Sequence, residues 1–378
     1  MNLSPYDASS WPGLQTYAER EASLLAPYAF FSANSAGRKV KEVDRPYRGP
    51  YQRDRDRILH CSAYRRLSGK MQVFTGDRGD YHRNRLTHTI EVACIARTIG
   101  RALRLNEDFI EALTLLHDLG HPPFGHAGED ALAECLSGDG GFSHNRHALT
   151  IVEELEERYP HFPGLNLSRE VLEGQAARID KRAATTVPLL EVQVVETSDW
   201  LTYSAHDVDD AVKLGLVTIP ELAAIPLVRE TLGEIHSQCG ELPPDVLRKT
   251  LVHELIDRQV SDALLTTGPA LGAAAPKSAA EVRARGLRIS CSAGMSRHQK
   301  ELQTFLYDRV YRHADLMRVR REAQQQIRRL FDAFVLAPQK MPDRFIRRIG
   351  TVGVRRAAGE FIAGMTDRYC VQQYEEMV

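Results

Sequence analysis

Between His117 and Glu129 the chain reads His-Asp-Leu-Gly-His-Pro-Pro-Phe-Gly-His-Ala-Gly-Glu. Three histidines and two carboxylates fall within thirteen residues, broken by glycines and prolines. An ordinary core helix does not carry that mixture. Proline removes a backbone donor and clashes with the preceding turn, and unpaired buried charge is costly. Imidazole and carboxylate together suit a divalent metal of intermediate hardness, and a histidine left over suits proton transfer near neutral pH. These residues suggest a metal ion flanked by proton-transfer groups.

A metal needs ligands that converge in space. His88 shares an apolar stripe with Val92, Ile95 and Ile99 on a helix expected over 86–104. Taken alone, a histidine on such a stripe is more often a packed core residue than a ligand. His117 and Asp118 close a helix expected over 107–118, with Asn106 as its N-cap and Gly120 just past its end. Asp199 lies among apolar neighbours on a helix expected over 189–205 and needs a partner there. A metal where these helices meet gives His88, His117, Asp118 and Asp199 a common one. Two imidazoles and two carboxylates, with room for water, fit Mn, Mg, Fe or Zn better than Ca. A second His-Asp pair, His206-Asp207, lacks the Gly- and His-rich turn, so the metal is assigned to the first. Asp199, Tyr203 and Asp207 follow i, i+4, i+8 spacing and share a helix face. Tyr203 and Asp207 then wall whatever the metal acts on; capping of a helix end is the competing role for Asp207.

The elements that position these residues read as helices, and strand-like alternation is scarce. Further helices are expected over 145–159, 298–335 and 355–376. Residues 1–50 read as irregular with short helices, and residues 51–68 are basic, with Arg53, Arg55, Arg57, Arg65 and Arg66 close together. The stretch Gly268–Ser278 reads as a flexible loop. The expected fold is an all-α bundle in which 1–50 precede a metal-binding core over 51–215. Residues 216–378 are expected to form a helical region completing the site, as one compact unit with the core in a chain of 378 residues. A net charge of −1 gives no bulk attraction to nucleic acid or membrane. No apolar run reaches the roughly 18–20 residues that span a bilayer, and the N-terminus lacks a secretory pattern. Six scattered cysteines with no CxxC pair read as reduced thiols of a cytoplasmic protein.

Several strings, in order along the chain, carry a resemblance. They are Gln52-Arg-Asp-Arg-Asp-Arg57-Ile, Tyr64-Arg-Arg-Leu-Ser-Gly-Lys-Met-Gln-Val-Phe74, Arg85-Leu-Thr-His88-Thr-Ile-Glu-Val and the segment His117–Glu129. Phe142-Ser-His144-Asn145, Asp199-Trp-Leu-Thr-Tyr203-Ser-Ala-His206-Asp207 and Gly364-Met-Thr-Asp-Arg-Tyr369 follow. Together they resemble the deoxyguanosine triphosphate triphosphohydrolases (dGTPases) of the HD phosphohydrolase superfamily, in their bacterial dGTPase-like branch. The resemblance implies an HD-domain helical bundle with additional C-terminal helices. It implies cleavage of a deoxynucleoside triphosphate into deoxynucleoside and inorganic triphosphate. His88, His117, Asp118 and Asp199 are then the metal ligands, with Mn or Mg first and Fe, Co, Ni or Zn as further candidates. His126, Glu129 and His144 match positions near the scissile bond, and His121 one close to the triphosphate. Gln72 and Asp207 match groups on the sugar 3′-hydroxyl, Tyr203 one packed on the deoxyribose, Arg85 a phosphate-gripping arginine, and Tyr311 a nucleoside contact. Gln303 stands where relatives carry a Lys or Arg, and a neutral amide cannot supply that charge; Lys300, one turn earlier, is the expected substitute. The family also implies a homo-oligomer, from dimer to hexamer; single-stranded nucleic acid is a candidate further partner.

The chemistry explains the residue types. A triphosphate near neutral pH is strongly anionic, and the metal, Arg85 and nearby cations, with Arg65, Arg66 and His121 as candidates, would neutralise it. His126 is the expected proton-transfer group, with Glu129 three residues on to orient it and His144 as second candidate. A helix N-terminal carboxylate is the competing role for Glu129. An aromatic wall at C2′ excludes a 2′-hydroxyl, which predicts deoxy over ribo preference. Two further readings stay open: an HD-type phosphohydrolase acting on another nucleotide, and a catalytically weak nucleotide- or single-strand-binding protein.

Overall fold

The computed structural model describes residues 13–72, 83–180 and 186–378. Residues 1–12 and the end of one family string, Val73-Phe74, lie outside them. Among the described residues the chain is helical, with three isolated bridges and no strand. The helices that matter for the site are α1 (Pro50–Leu59), α2 (Arg85–Ala102), α3 (Glu107–Leu116), α4 (Gly125–Cys135), α5 (His144–Thr150), α6 (Arg169–Ala176) and α7 (Leu190–Lys213). They are followed by α8 (Pro226–Cys239), α9 (Pro244–Ala274), α10 (Ala293–Leu306), α11 (Ala314–Leu336), α12 (Asp343–Val352), α13 (Val354–Ala363) and α14 (Asp367–Met377). No helix among the described residues is long and apolar enough to cross a membrane. All six cysteines are free.

Local chemistry starts the central helices. The Asn84 side chain accepts the Thr87 N–H at 2.9 Å to open α2, and Asn106 accepts the Phe109 N–H at 3.2 Å to open α3. Behind that cap the Phe109 ring stacks on Tyr51 of α1, with centroids 4.5 Å apart. Ile58, Ile99, Ile110, Leu116, Val194 and Leu201 close the same core, all fully buried. Each such side chain contributes about 1.5–3 kcal/mol. The second half of α7 leaves this core and enters another with α8, α9 and α10, through Ala205, Val208, Leu227, Leu255 and Leu302. A third core joins α4 to α11, α13 and α14, through Leu132, Phe331, Phe334, Phe361 and Cys370.

The expected helices are found, with corrections that each have a physical cause. The helix expected over 189–205 runs on to Lys213, so Asp207 lies inside it and is buried rather than capping its end. The helix expected over 145–159 stops after Leu155, because the buried Glu156 carboxylate turns inward to accept the N–H groups of Ser62 and Ala63 at 3.1 and 2.8 Å. The stretch over 298–335 is interrupted at Tyr307–Tyr311, and that over 355–376 at Gly364–Thr366. Most of the expected loop Gly268–Ser278 is the end of a 31-residue helix, α9, with Pro269 inside it. An internal proline costs a helix about 3 kcal/mol. Here the buried side chains of Thr267 and Leu271 bracket it, and Thr267 Oγ1 exchanges hydrogen bonds with the Ser290 backbone at 3.0 and 3.1 Å. Tertiary anchoring on both sides outweighs the breaker.

Candidate metal centre and hydrolytic cavity

Three helices bring the candidate ligands together. His88 is on the first turn of α2, His117 and Asp118 follow the end of α3, and Asp199 is midway along α7. One ligand atom each of His88, His117 and Asp199 lies within 4.8 Å of the others. His88 Nε2 is 3.3 Å and His117 Nε2 3.6 Å from Asp199 Oδ1, and His117 Nε2 is 3.5 Å from Asp118 Oδ1. The His117 ring is fully buried. Its Nδ1 donates to the Thr114 carbonyl at 2.5 Å, which leaves Nε2 as the lone-pair nitrogen. That Nε2 has no hydrogen-bond partner among the described residues. An unpaired buried acceptor facing two carboxylate oxygens fits a cation bound between them.

Both aspartates divide their oxygens in the same way. Asp118 turns Oδ1 to His117 and His121 and Oδ2 to Arg85 Nη1 at 2.7 Å. Asp199 turns Oδ1 to the two histidines and Oδ2 to Arg178 Nη2 at 2.8 Å. Burial opposes ionisation of both, but His117, His121 and Arg85 hold Asp118 well below the usual carboxylate range. His117, His88 and Arg178 do the same for Asp199. Both are charged at neutral pH.

Beside this cluster lies a second constellation. Glu129 Oε1 receives His144 Nδ1 at 2.7 Å and the His144 N–H at 2.9 Å, while Oε2 is 3.2 Å from His126 Nδ1. The His121 ring stacks on His144 with centroids 3.8 Å apart. These contacts outweigh burial and hold the Glu129 carboxyl far below its usual range. His121 is pushed well below the ordinary imidazole value by burial, then by Arg85 and His144, and is neutral. Asp118, His121 and His144 form another group with metal-compatible spacing.

The turn carrying His121 and His126 is tightly specified. Phe124 and Gly125 both adopt left-handed backbone, at φ 60° and 57°. Asp367, at the start of α14, accepts the Phe124 N–H at 2.9 Å with one oxygen and the Met71 N–H at 2.8 Å with the other. Gly120 is required by close approach: a Cβ there would stand 2.1 Å from the His144 carbonyl oxygen and 2.4 Å from the Ala148 nitrogen.

A cavity of about 610 Å³ opens on these groups. Gln72, Arg85, His121, His126, His144 and Tyr203 line it, as do Asp118 and Asp199. Gln72 Oε1 is buried and unpaired. Asp207 and Tyr311 stand behind Tyr203, where the Tyr311 hydroxyl donates to Asp207 Oδ2. Burial pushes the Asp207 carboxyl up to about 8. Arg65 and Arg66 are outside the lining. The structure does not bring Lys300 to the cavity either: it is exposed on α10, as is Gln303, and the residue beside it, Gln299, turns inward to line the wall. One residue along a helix rotates a side chain by about 100°.

With this geometry in hand, comparison with known proteins is specific. The HD domain matches residues 85–204, and a phosphohydrolase-associated domain matches residues 289–376. A protein of Nitrosomonas europaea named deoxyguanosinetriphosphate triphosphohydrolase-like is 40% identical over 371 residues, covering 94% of this chain and 98% of its own. Proteins of the same name from Ralstonia nicotianae and Geobacter metallireducens are 40% and 38% identical, each covering more than nine-tenths of both chains. The chain belongs to the dGTPase-like family of HD-domain proteins. Its HD domain contains all four candidate ligands, and the associated domain contributes Tyr311, Asp367 and the cavity residue Gln299. In this dGTPase-like chain the residue that the sequence reading missed is Arg178, just beyond α6. It lines the cavity, pairs with Asp199, and keeps Nη1 buried without a partner. Arg288 lines the cavity too and was also missed.

Proposed function

We propose that this chain hydrolyses deoxynucleoside triphosphates to the deoxynucleoside and inorganic triphosphate. A divalent metal, Mn or Mg first, would be held by His88, His117, Asp118 and Asp199. The observation that carries the reading is the unpaired, buried Nε2 of His117, aimed at two ionised aspartates on the wall of an arginine-lined cavity. Names of the relatives supply the substrate class. When bound, the metal would neutralise phosphate charge and lower the pKa of coordinated water.

The chain's own residues do the rest. Arg85 and Arg178, each anchored by one guanidinium nitrogen to an aspartate, face the cavity with charge for the phosphates. His126, whose side chain is 57% exposed at the cavity, is the group placed to deliver a proton to the departing 5′-oxygen. Glu129 fixes His126 and His144 through separate oxygens, and His144, stacked on His121, is the alternative proton carrier. Gln72 presents an unpaired carbonyl for a sugar hydroxyl, Asp207 held by Tyr311 is assigned the 3′-hydroxyl, and the Tyr203 ring crowds C2′. Lys300 is assigned no part within this cavity. Residues 51–215 carry the metal core and 216–378 complete the cavity, in a cytoplasmic homo-oligomer.

The test is incubation of Mn-loaded protein with each of the four dNTPs, singly and mixed, with products resolved by ion exchange. Deoxynucleoside plus intact triphosphate, lost on chelation and in His117→Ala, is expected. Turnover only in the mixture would add nucleotide activation. Orthophosphate or pyrophosphate as product would replace this reading with another HD-type hydrolysis, and binding without turnover would replace it with a nucleotide-binding role.

A further inference from the structure

Helix α5 has two working faces. His144 and Asn145 line the metal cavity. Ser143, Arg146, His147 and Thr150 recur at i, i+3, i+4, i+7 and line a separate cavity of about 340 Å³ on the opposite face. Arg348 of α12 and Arg356 of α13 close it. Its two carboxylates, Glu154 and Glu360, are both committed to Arg348. Arg146 and Arg356 have no carboxylate partner among the described residues. Arg146 donates to the Gly140 carbonyl at 3.2 Å, and Arg356 to the carbonyls of Asp139 and Gly141, the latter at 2.8 Å. Within that wall His147 is buried, with Nε2 unpaired. Burial, and then Lys70, Arg356, Arg348 and Arg66, press it toward its neutral form. Both carboxylates of the lining are taken up by Arg348, so the guanidinium charges of Arg146 and Arg356 are left without an anionic partner among the described residues.

Guanidinium forks with hydroxyls at hand select a tetrahedral oxyanion, and the cavity has room for a phosphate group with a small substituent. We propose that this pocket is a second site, one that binds a phosphate group and thereby sets the position of α5 and of His144. The coupling is mechanical. Arg146 and Arg356 hold the Asp139–Gly141 carbonyls, and that segment leads through Phe142 and Ser143 into His144. An anion that draws either guanidinium inward releases the segment that delivers His144 to Glu129. The binding claim stands apart from the proposed hydrolysis; only the rate measurement rests on it.

The experiment is equilibrium dialysis of the full-length, metal-loaded protein with radiolabelled orthophosphate, repeated with tripolyphosphate and with a non-hydrolysable nucleoside triphosphate. Four proteins are compared: wild type, R146Q/R356Q, R146E and the metal-cavity variant R178Q. The expected result is a phosphate site whose Kd rises at least about tenfold in R146Q/R356Q and R146E and stays within about twofold in R178Q. Arg146 is exposed, so R146E keeps the test valid if the double variant misfolds. The His147 ring nitrogens, followed by 15N NMR, shift with orthophosphate in wild type and R178Q only. Binding by orthophosphate itself marks free phosphate as the ligand; binding only by the nucleotide analogue marks a nucleotide-borne phosphate. R146E, which lacks the Gly140 contact, hydrolyses in phosphate-free buffer at the rate that added phosphate sets in wild type, and its response to added phosphate is lost. Equal phosphate affinity in wild type, R146Q/R356Q and R146E overturns the site, as does a loss confined to R178Q. Retained binding with no change in rate overturns the link to His144.

Discussion

Each aspartate of the candidate metal cluster has two duties, a ligand-facing oxygen and an arginine-facing one. Arg178 therefore does for Asp199 what Arg85 does for Asp118. Arg178→Gln should reduce kcat/KM for a dNTP by about 10- to 150-fold, the worth of a hydrogen bond to a charged group, with metal content by atomic emission unchanged. Arg178→Lys should recover part of the loss; a drop in metal content equal to the drop in rate would instead make the arginine purely structural. Glu129→Gln should lower kcat by about 10²-fold and distort the pH–rate profile, since it loosens two histidines at once. An unchanged profile would remove Glu129 from proton transfer. At this scale the sequence was readable where unusual residue types crowd together, as in His117–Glu129. Arg178 escaped because its neighbours, Gln-Ala-Ala and Ile, advertise nothing, and its partner lies 21 residues on. That Lys300 is exposed while its neighbour Gln299 faces the cavity was not legible, because helix phase is not visible without the packing that fixes it.

Helix ends do much of the positioning. His117 follows α3, Arg178 follows α6, His144 opens α5, and the turn before α4 carries His121. Gly120 lets that turn press on the backbone of α5. Gly120→Ala should push α5 away, costing about 3 kcal/mol or more, and should cut hydrolysis with it. Thermal unfolding and turnover measured on the same preparation check this, and a stable, active variant would mean that the turn yields easily. Periodicity made α2, α3 and α7 legible, and the Asn106 cap marked the start of α3, because both signals are local. The continuation of α9 through Pro269 was not, because what overrides the proline is a distant contact between Thr267 and Ser290.

Across the whole molecule, acid should be more damaging than base. Burial first, and then neighbouring cations, depress His147 from 6.5 to about 3, and burial with Arg83 and His88 depresses His206 to about 2. Between those values and 6.5 the unfolded chain binds protons that the folded chain refuses. The stability these groups confer is therefore complete above 6.5 and is lost as pH falls, by up to about 1.4 kcal/mol per pH unit for each histidine. The melting temperature should drop between pH 7 and 5, and drop less steeply in His147→Gln; parallel curves for the two proteins would locate the acid sensitivity elsewhere. The all-α architecture was plain from composition and period, whereas the junction of three cores was not, since it depends on contacts hundreds of residues apart. Asp367 is the extreme case, gripping Met71 and Phe124 across 296 and 243 positions. While the chain is being synthesised, His88, His117, Asp118 and Asp199 all emerge before the residue that fastens the turn between His121 and His126. A nascent chain would hold its four candidate ligands long before that turn is locked, so the proposed hydrolysis must await the emergence of Asp367.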